Sequence, residues 1–246
     1  MNEQERAIRD LVIANRILAR EDVLDAYGHV SVRHPQRPDR YLLSRSLSPE
    51  HVTTDDIIEF TLDGEPVGDK RPPYLERFIH GAVYEARPEI RAVVHSHAED
   101  TLPFSISKTP LCCVAHVASD MGTEVPVWDI ADKFGDATNL LVTNMAQGRD
   151  MAHMLGGNTV VLMRGHGFSA AAESLLKVVR LCVYLPRNAR ILLHAMRLGE
   201  FKRMSEGEIN SRAGYKSGSP EMQRAWEYWA KRAGCADLLG SDPGGV

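Results

Sequence analysis

Three histidines, set after a glutamate-led segment, are the residues of this chain best suited to chemistry. Glu76-Arg77-Phe78-Ile79-His80 opens that segment, which closes on Ala92-Val93-Val94-His95-Ser96-His97. His95 and His97 alternate at the end of a β-branched run, so a strand there points both imidazoles to one side. His166 ends a second apolar run, Val160-Val161-Leu162-Met163-Arg164-Gly165-His166-Gly167. Three neutral nitrogen ligands with one position left open are what a catalytic divalent cation requires. Each residue also has a plainer reading. The histidines could be hydrogen-bonded groups on a polar sheet face or in a turn, and Glu76 a carboxylate favoured by a helix N-terminus.

Elements must bring those side chains together. Residues 6–21 place Ile8, Leu11, Val12, Ile17 and Leu18 at helical spacing. Residues 27–33 and 40–44 read as a hairpin across the turn Pro35–Asp39, with a short helix near Pro49. Residues 57–62 read as a strand ended by Asp63-Gly64. Glu76–Arg87 reads as a helix with Phe78, Ile79, Ala82, Val83 and Ala86 on one face; Pro88 ends it before the strand carrying the histidine pair. Short apolar runs at 111–117 and 125–128 follow, with His116 on the first. A helix over 147–155 is closed by Gly156-Gly157, and a buried strand covers 159–163. Residues 174–198 form a long helix with a kink expected at Pro186, and 219–234 form a helix carrying Trp226, Tyr228 and Trp229. Gly240–Val246 should fray. The expectation is one α/β domain over 1–246, with a largely antiparallel sheet and a C-terminal helical arm at about 219–234.

Composition narrows the partners. A net charge of −4 without like-charge runs leaves no electrostatic footprint for nucleic acid. No apolar run approaches the roughly 20 residues that cross a bilayer, and the charged N-terminus is unlike a signal peptide. Cys112, Cys113, Cys182 and Cys235 show no CxxC spacing, so reduced thiols in a cytoplasmic protein are expected.

The ordered set of motifs resembles the class II aldolase/adducin family over nearly the full chain. It comprises the strand Gly28-His29-Val30-Ser31-Val32-Arg33, Glu76 ahead of His95 and His97, and the turn Arg164-Gly165-His166-Gly167. The resemblance implies a three-layer α/β/α fold with a central, largely antiparallel sheet, and homotetramers with active sites at subunit interfaces. It implies one divalent metal ion per subunit on His95, His97 and His166, with Glu76 as acid/base or displaceable fourth ligand.

Where the family's sugar-phosphate aldolases have asparagine, this chain has His29. Their glycine-containing phosphate loop is here Ser44-Arg45-Ser46-Leu47-Ser48-Pro49-Glu50. A phosphate cradle wants glycine and free backbone N–H groups, whereas arginine suits a carboxylate. Those departures, with the aromatic C-terminal helix, resemble the family's decarboxylase branch, which acts on hydroxylated aromatic or pyridine dicarboxylates. His29, Ser44 and Arg45 would then bind a small-molecule carboxylate, with His116 also facing the site and Arg33 an ion-pair partner. His34, His51, His80, His153 and His194 carry no supporting pattern. The resemblance to that branch implies manganese ahead of zinc, iron or cobalt. Aldol cleavage of a short sugar (phosphate) or hydroxy-keto acid, and a non-catalytic adducin-like interaction module, are the alternatives.

Overall fold

Asn2 starts the first helix through a reciprocal capping box: its side chain accepts the Glu5 amide, and the Glu5 carboxylate accepts the Asn2 amide. The computed structural model describes residues 1–212 and 218–239; the tail expected to fray, 240–246, lies outside them. Helix α1 spans Glu3–Arg20. The hairpin follows as β1 (His29–Arg33) and β2 (Arg40–Ser44), then β3 (Ile57–Thr61), α2 (Arg77–Ala86), β4 (Ala92–Ser96) and the short α3 (Leu102–Ser105). A lightly structured middle holds β5 (Leu111–Cys112), β6 (Glu124–Val125), β7 (Val127–Trp128) and α4 (Ala131–Phe134). The remainder is α5 (Met145–Leu155), β8 (Val160–Met163), β9 (Gly167–Ala172), α6 (Leu175–Leu198), α7 (Glu206–Asn210) and α8 (Pro220–Arg232).

Seven strands make one sheet in the order β3-β2-β1-β4-β9-β8-β7, and only β7–β8 is parallel. Alternation along the strands divides the core. Val30, Leu42, Val94, Leu162 and Ala170 join the apolar faces of α1, α6 and α8. Tyr41, Leu43, Val93, Val161 and Ala171 join those of α2 and α5. The result is the expected three-layer α/β/α arrangement with a largely antiparallel sheet. Trp226 and Trp229 are buried in the first of these cores, while Tyr228 faces out. Helix α6 runs through Pro186 without a break in its assignment. No helix among the described residues is long and apolar enough to cross a membrane.

Three local expectations need correction. Strand β9 was not anticipated, because Gly167-Phe168-Ser169-Ala170-Ala171-Ala172 carries no β-branched residue; it is a strand because it is buried between β4 and β8. His116 is exposed and opens a 3-10 turn over His116–Met121, since pairing stops after Cys112. Arg33 forms no ion pair with a carboxylate among the described residues. Its guanidinium donates to the carbonyls of Ile90, Pro38, Tyr84 and Arg87 and stacks over the Tyr84 ring.

Candidate metal centre

Strand register places the site. His29 on β1 lies directly opposite His95 on β4, so both side chains fall on the sheet face covered by α2. Glu76 is the N-cap of α2, and His80 and Tyr84 follow it at intervals of four along the same helix face. The Glu76 side chain does not cap its own helix; its Oε1 instead accepts the amide of Val142 at 2.9 Å. The helix-dipole reading of this carboxylate therefore does not account for where it points. His97 stands just past the end of β4, and His166 sits in the tight β8–β9 turn, its amide bonded to Met163 O at 3.0 Å.

Two glycines make that turn possible. Gly165 has φ +65 and donates to Ser105 Oγ. A Cβ on Gly167 would lie 2.1 Å from the Ser96 carbonyl oxygen, so glycine lets β9 close on β4 and carries His166 to His97.

The ligand atoms of Glu76, His95, His97 and His166 all lie within 4.8 Å of one another. His97 Nε2 is 3.1 Å from His95 Nε2 and 3.2 Å from His166 Nε2. Glu76 Oε2 is 3.4 Å from His95 Nε2 and 3.5 Å from His166 Nε2. Donors about 2.0–2.2 Å from a shared ion lie about 3–3.5 Å apart, so these spacings fit one cation.

The tautomers point the same way. His95 Nδ1 meets the carbonyl of Phe168 at 3.1 Å, which can only accept, so the proton is on Nδ1 and Nε2 is a bare lone pair. His97 Nδ1 meets the Asp25 carboxylate at 3.1 and 3.2 Å, with the same consequence. Two bare nitrogens facing each other at 3.1 Å repel unless positive charge sits between them. Such a carboxylate or carbonyl behind a ligating imidazole is the usual support of a metal site. His166 Nδ1 is buried without a hydrogen-bond partner among the described residues.

Charge effects agree. Burial alone would raise the Glu76 carboxyl, but His95 and His166 more than offset it and hold it well below the ordinary carboxylate range. Positive charge among those nitrogens, proton or cation, has this effect. Burial keeps His95 below its ordinary value against the pull of Glu76. Asp25 is also held low: burial opposes its charge, and the amides of Tyr27 and Gly28 with His97 outweigh that.

The remaining expected site residues fall in different places. His29 is buried; its ring packs 4.6 Å from Tyr74 and 5.2 Å from His95. Ser44 is buried and bonded to Tyr74 Oη at 3.1 Å, which links it to the His29 side of the site. Arg45 donates its Nε to Asp56 at 2.7 Å, and the fork of its two Nη groups has no hydrogen-bond partner among the described residues. The amides of Arg45 and Ser46 are taken by the carbonyls of Asp56 and Pro72, both at 2.8 Å, so neither is free to cradle a phosphate. His116 lines a different cleft, with Arg180, Tyr184 and Trp229, and is not brought to the cluster within the chain. All four cysteines are buried and unpaired.

Asp25, Tyr74 and His80 were not singled out as site residues. For His80 a signal existed in its spacing, four residues after Glu76 on a helix whose inward face it shares. Asp25 had none, since it meets His97 across 72 positions of chain.

Residues 9–193 match the class II aldolase and adducin N-terminal domain. The chain belongs to the class II aldolase/adducin family. It is 34% identical to decarboxylase tropJ of Talaromyces stipitatus, over 91% of this chain and 92% of that protein. It is 26% identical to the 3,4-dihydroxyphthalate decarboxylase of Arthrobacter keyseri, over 92% and 93%. Its fold matches an aldolase II superfamily protein from Pseudomonas syringae with a TM-score of 0.79 at 20% identity, over 97% of this chain and 96% of that one.

Proposed function

We propose that this protein is a divalent-metal-dependent carbon–carbon lyase that decarboxylates a hydroxylated aromatic or pyridine (di)carboxylate. The observation that carries the reading is the convergence of Glu76, His95, His97 and His166 on one point. The two decarboxylases similar to this chain along most of its length favour the reaction type, as do the occupied amides of Arg45 and Ser46.

His95, His97, His166 and Glu76 would hold the cation, which supplies Lewis acidity to the oxygen beside the reacting carbon. Three imidazoles and a carboxylate suit manganese, zinc, iron or cobalt; manganese is put first on the resemblance to the family's decarboxylases. Glu76 enters as a carboxylate and takes the proton of the substrate hydroxyl ortho to the leaving carboxylate. The carbon–carbon bond breaks, carbon dioxide departs, and the electron pair stays on the ring carbon. Glu76 returns its proton to that carbon. His29, with Ser44 and the Nη groups of Arg45, binds the remaining carboxylate. The working form is a homo-oligomer, which light scattering decides.

Protein purified without chelator, assayed for metal content and for carbon dioxide release from hydroxyphthalates and hydroxypyridine dicarboxylates, tests the reading. Release abolished by a chelator and restored by a divalent cation supports it. Aldehyde release from sugar phosphates without carbon dioxide would move the protein to the aldolases. Silence on both panels at full metal occupancy would favour a non-catalytic interaction module.

A further inference from the structure

Behind the cluster, four buried side chains form an unbranched line of hydrogen bonds. His29 Nδ1 meets His80 Nε2 at 2.7 Å, His80 Nδ1 meets Ser31 Oγ at 2.6 Å, and Ser31 Oγ meets Tyr84 Oη at 2.8 Å. None is more than 2% exposed, so bulk solvent does not reach the line. Nothing in the chemistry proposed above uses His80, Ser31 or Tyr84.

The direction of the line follows from counting protons. Among the described residues the hydrogen-bond partner of Tyr84 Oη is Ser31 Oγ. The Tyr84 proton therefore has one acceptor, Ser31 Oγ, and a buried hydroxyl proton without one is costly. Having accepted there, Ser31 sends its own proton to His80 Nδ1. His80 is then protonated on Nε2 and donates to His29 Nδ1. His29, bare at Nδ1, must carry its proton on Nε2, the nitrogen with no hydrogen-bond partner among the described residues. Protons on both His29 Nδ1 and His80 Nε2 would set donor against donor at 2.7 Å, so the contact holds a single proton; burial also pushes His80 down to about 3.

We propose that this line fixes His29 as a one-way hydrogen-bond donor toward an acceptor oxygen of the bound ligand, with His80, Ser31 and Tyr84 as positioning residues. A carboxylate or phenolate oxygen is accepted, and a ligand presenting an ammonium or amide N–H there is rejected. That the oxygen belongs to a carboxylate substrate rests on the proposed function; the order of the protons does not.

Full-length protein labelled with 15N-histidine and loaded with Zn2+, which is diamagnetic, gives the test. Long-range 1H–15N spectra should find His29 and His80 each protonated on Nε2 and bare on Nδ1. Tyr84→Phe should keep these tautomers, because the Ser31 proton still has His80 Nδ1 to go to, whereas Ser31→Ala removes the hydroxyl that sets the order. In Ser31→Ala the line can reverse, so Nδ1–H forms of both histidines should appear. KM for the carboxylate substrate should rise about tenfold, with kcat changed far less. Ser31→Thr keeps a hydroxyl and should keep the wild-type tautomers. A wild-type Nδ1–H on either ring, or unchanged tautomers in Ser31→Ala, overturns the proposal. The spectra need no turnover, so a failed decarboxylase assay leaves this inference readable and its own failure leaves decarboxylation standing.

Discussion

Asp25→Asn should weaken metal binding about tenfold while leaving its own turn intact. Asp25 Oδ1 accepts the amides of Tyr27 and Gly28 at 2.8 and 2.9 Å, which the asparagine carbonyl can also do. With Oδ1 so occupied, Oδ2 is the better acceptor for the His97 Nδ1 proton, at 3.1 Å. In the variant an amide NH2 replaces Oδ2 and sets donor against donor. His97 relieves this by moving its proton to Nε2, which removes a lone pair from the cluster. Partners of ligating histidines are worth about 10–100-fold in metal affinity. The Asp25 side chain is 49% exposed, so solvent screens its charge and the low end applies, about 1.4 kcal/mol. Asp25→Ala takes away the acceptor without adding an opposing donor and should cost less than Asp25→Asn. Competition against a chromophoric chelator at pH 7 measures both, with circular dichroism to check the fold. Equal affinities in wild type and Asp25→Asn, or a worse result for alanine than for asparagine, would refute the tautomer reasoning.

His95→Ala should lose metal and activity together, whereas Glu76→Gln should keep most of the metal and lose about 10²–10⁴ in kcat; normal turnover in Glu76→Gln would remove that residue from proton transfer. Gly167→Ala puts a methyl against the Ser96 carbonyl and should cost about 3 kcal/mol or more, read as a Tm lower by about 10 °C. An unchanged Tm would mean that β9 can shift without cost. Stability should also fall in acid. Buried His80 titrates near 3 when folded against 6.5 when unfolded, so above 6.5 neither state binds its proton and there is no pH effect. Below 6.5 the unfolded chain takes up the proton first, and stability drops by up to about 1.4 kcal/mol per pH unit until the folded value is reached. Urea midpoints between pH 7 and 4 should slope less in His80→Phe than in wild type; equal slopes would contradict a neutral buried His80.

Local pattern carried much of the architecture. The alternation of Val30 and Val32, the helical spacing before Arg20 and the Gly156 cap are short-range signals, and each element they implied is present. The Ala-rich β9 was illegible because its strand character comes from its neighbours. Arg33 was misjudged for a related reason: its partners are four backbone carbonyls, and backbone groups leave no trace in residue types.

The same division runs through the site. Alternation on a strand by itself joined only His95 and His97; residue type and order, read through the resemblance to the family, pointed to Glu76, His95, His97 and His166 as one set. They also determined that the loop at Ser44-Arg45-Ser46 lacks the glycine of a phosphate cradle. Only the tertiary structure decided which nitrogen of each imidazole faces the cluster, since the proton goes to whichever side meets an acceptor. Phe168 O and Asp25 supply those acceptors from 73 and 72 positions away in the chain. It likewise decided that His80 lies behind His29, because a helix face and a strand face meet there only after the sheet has formed.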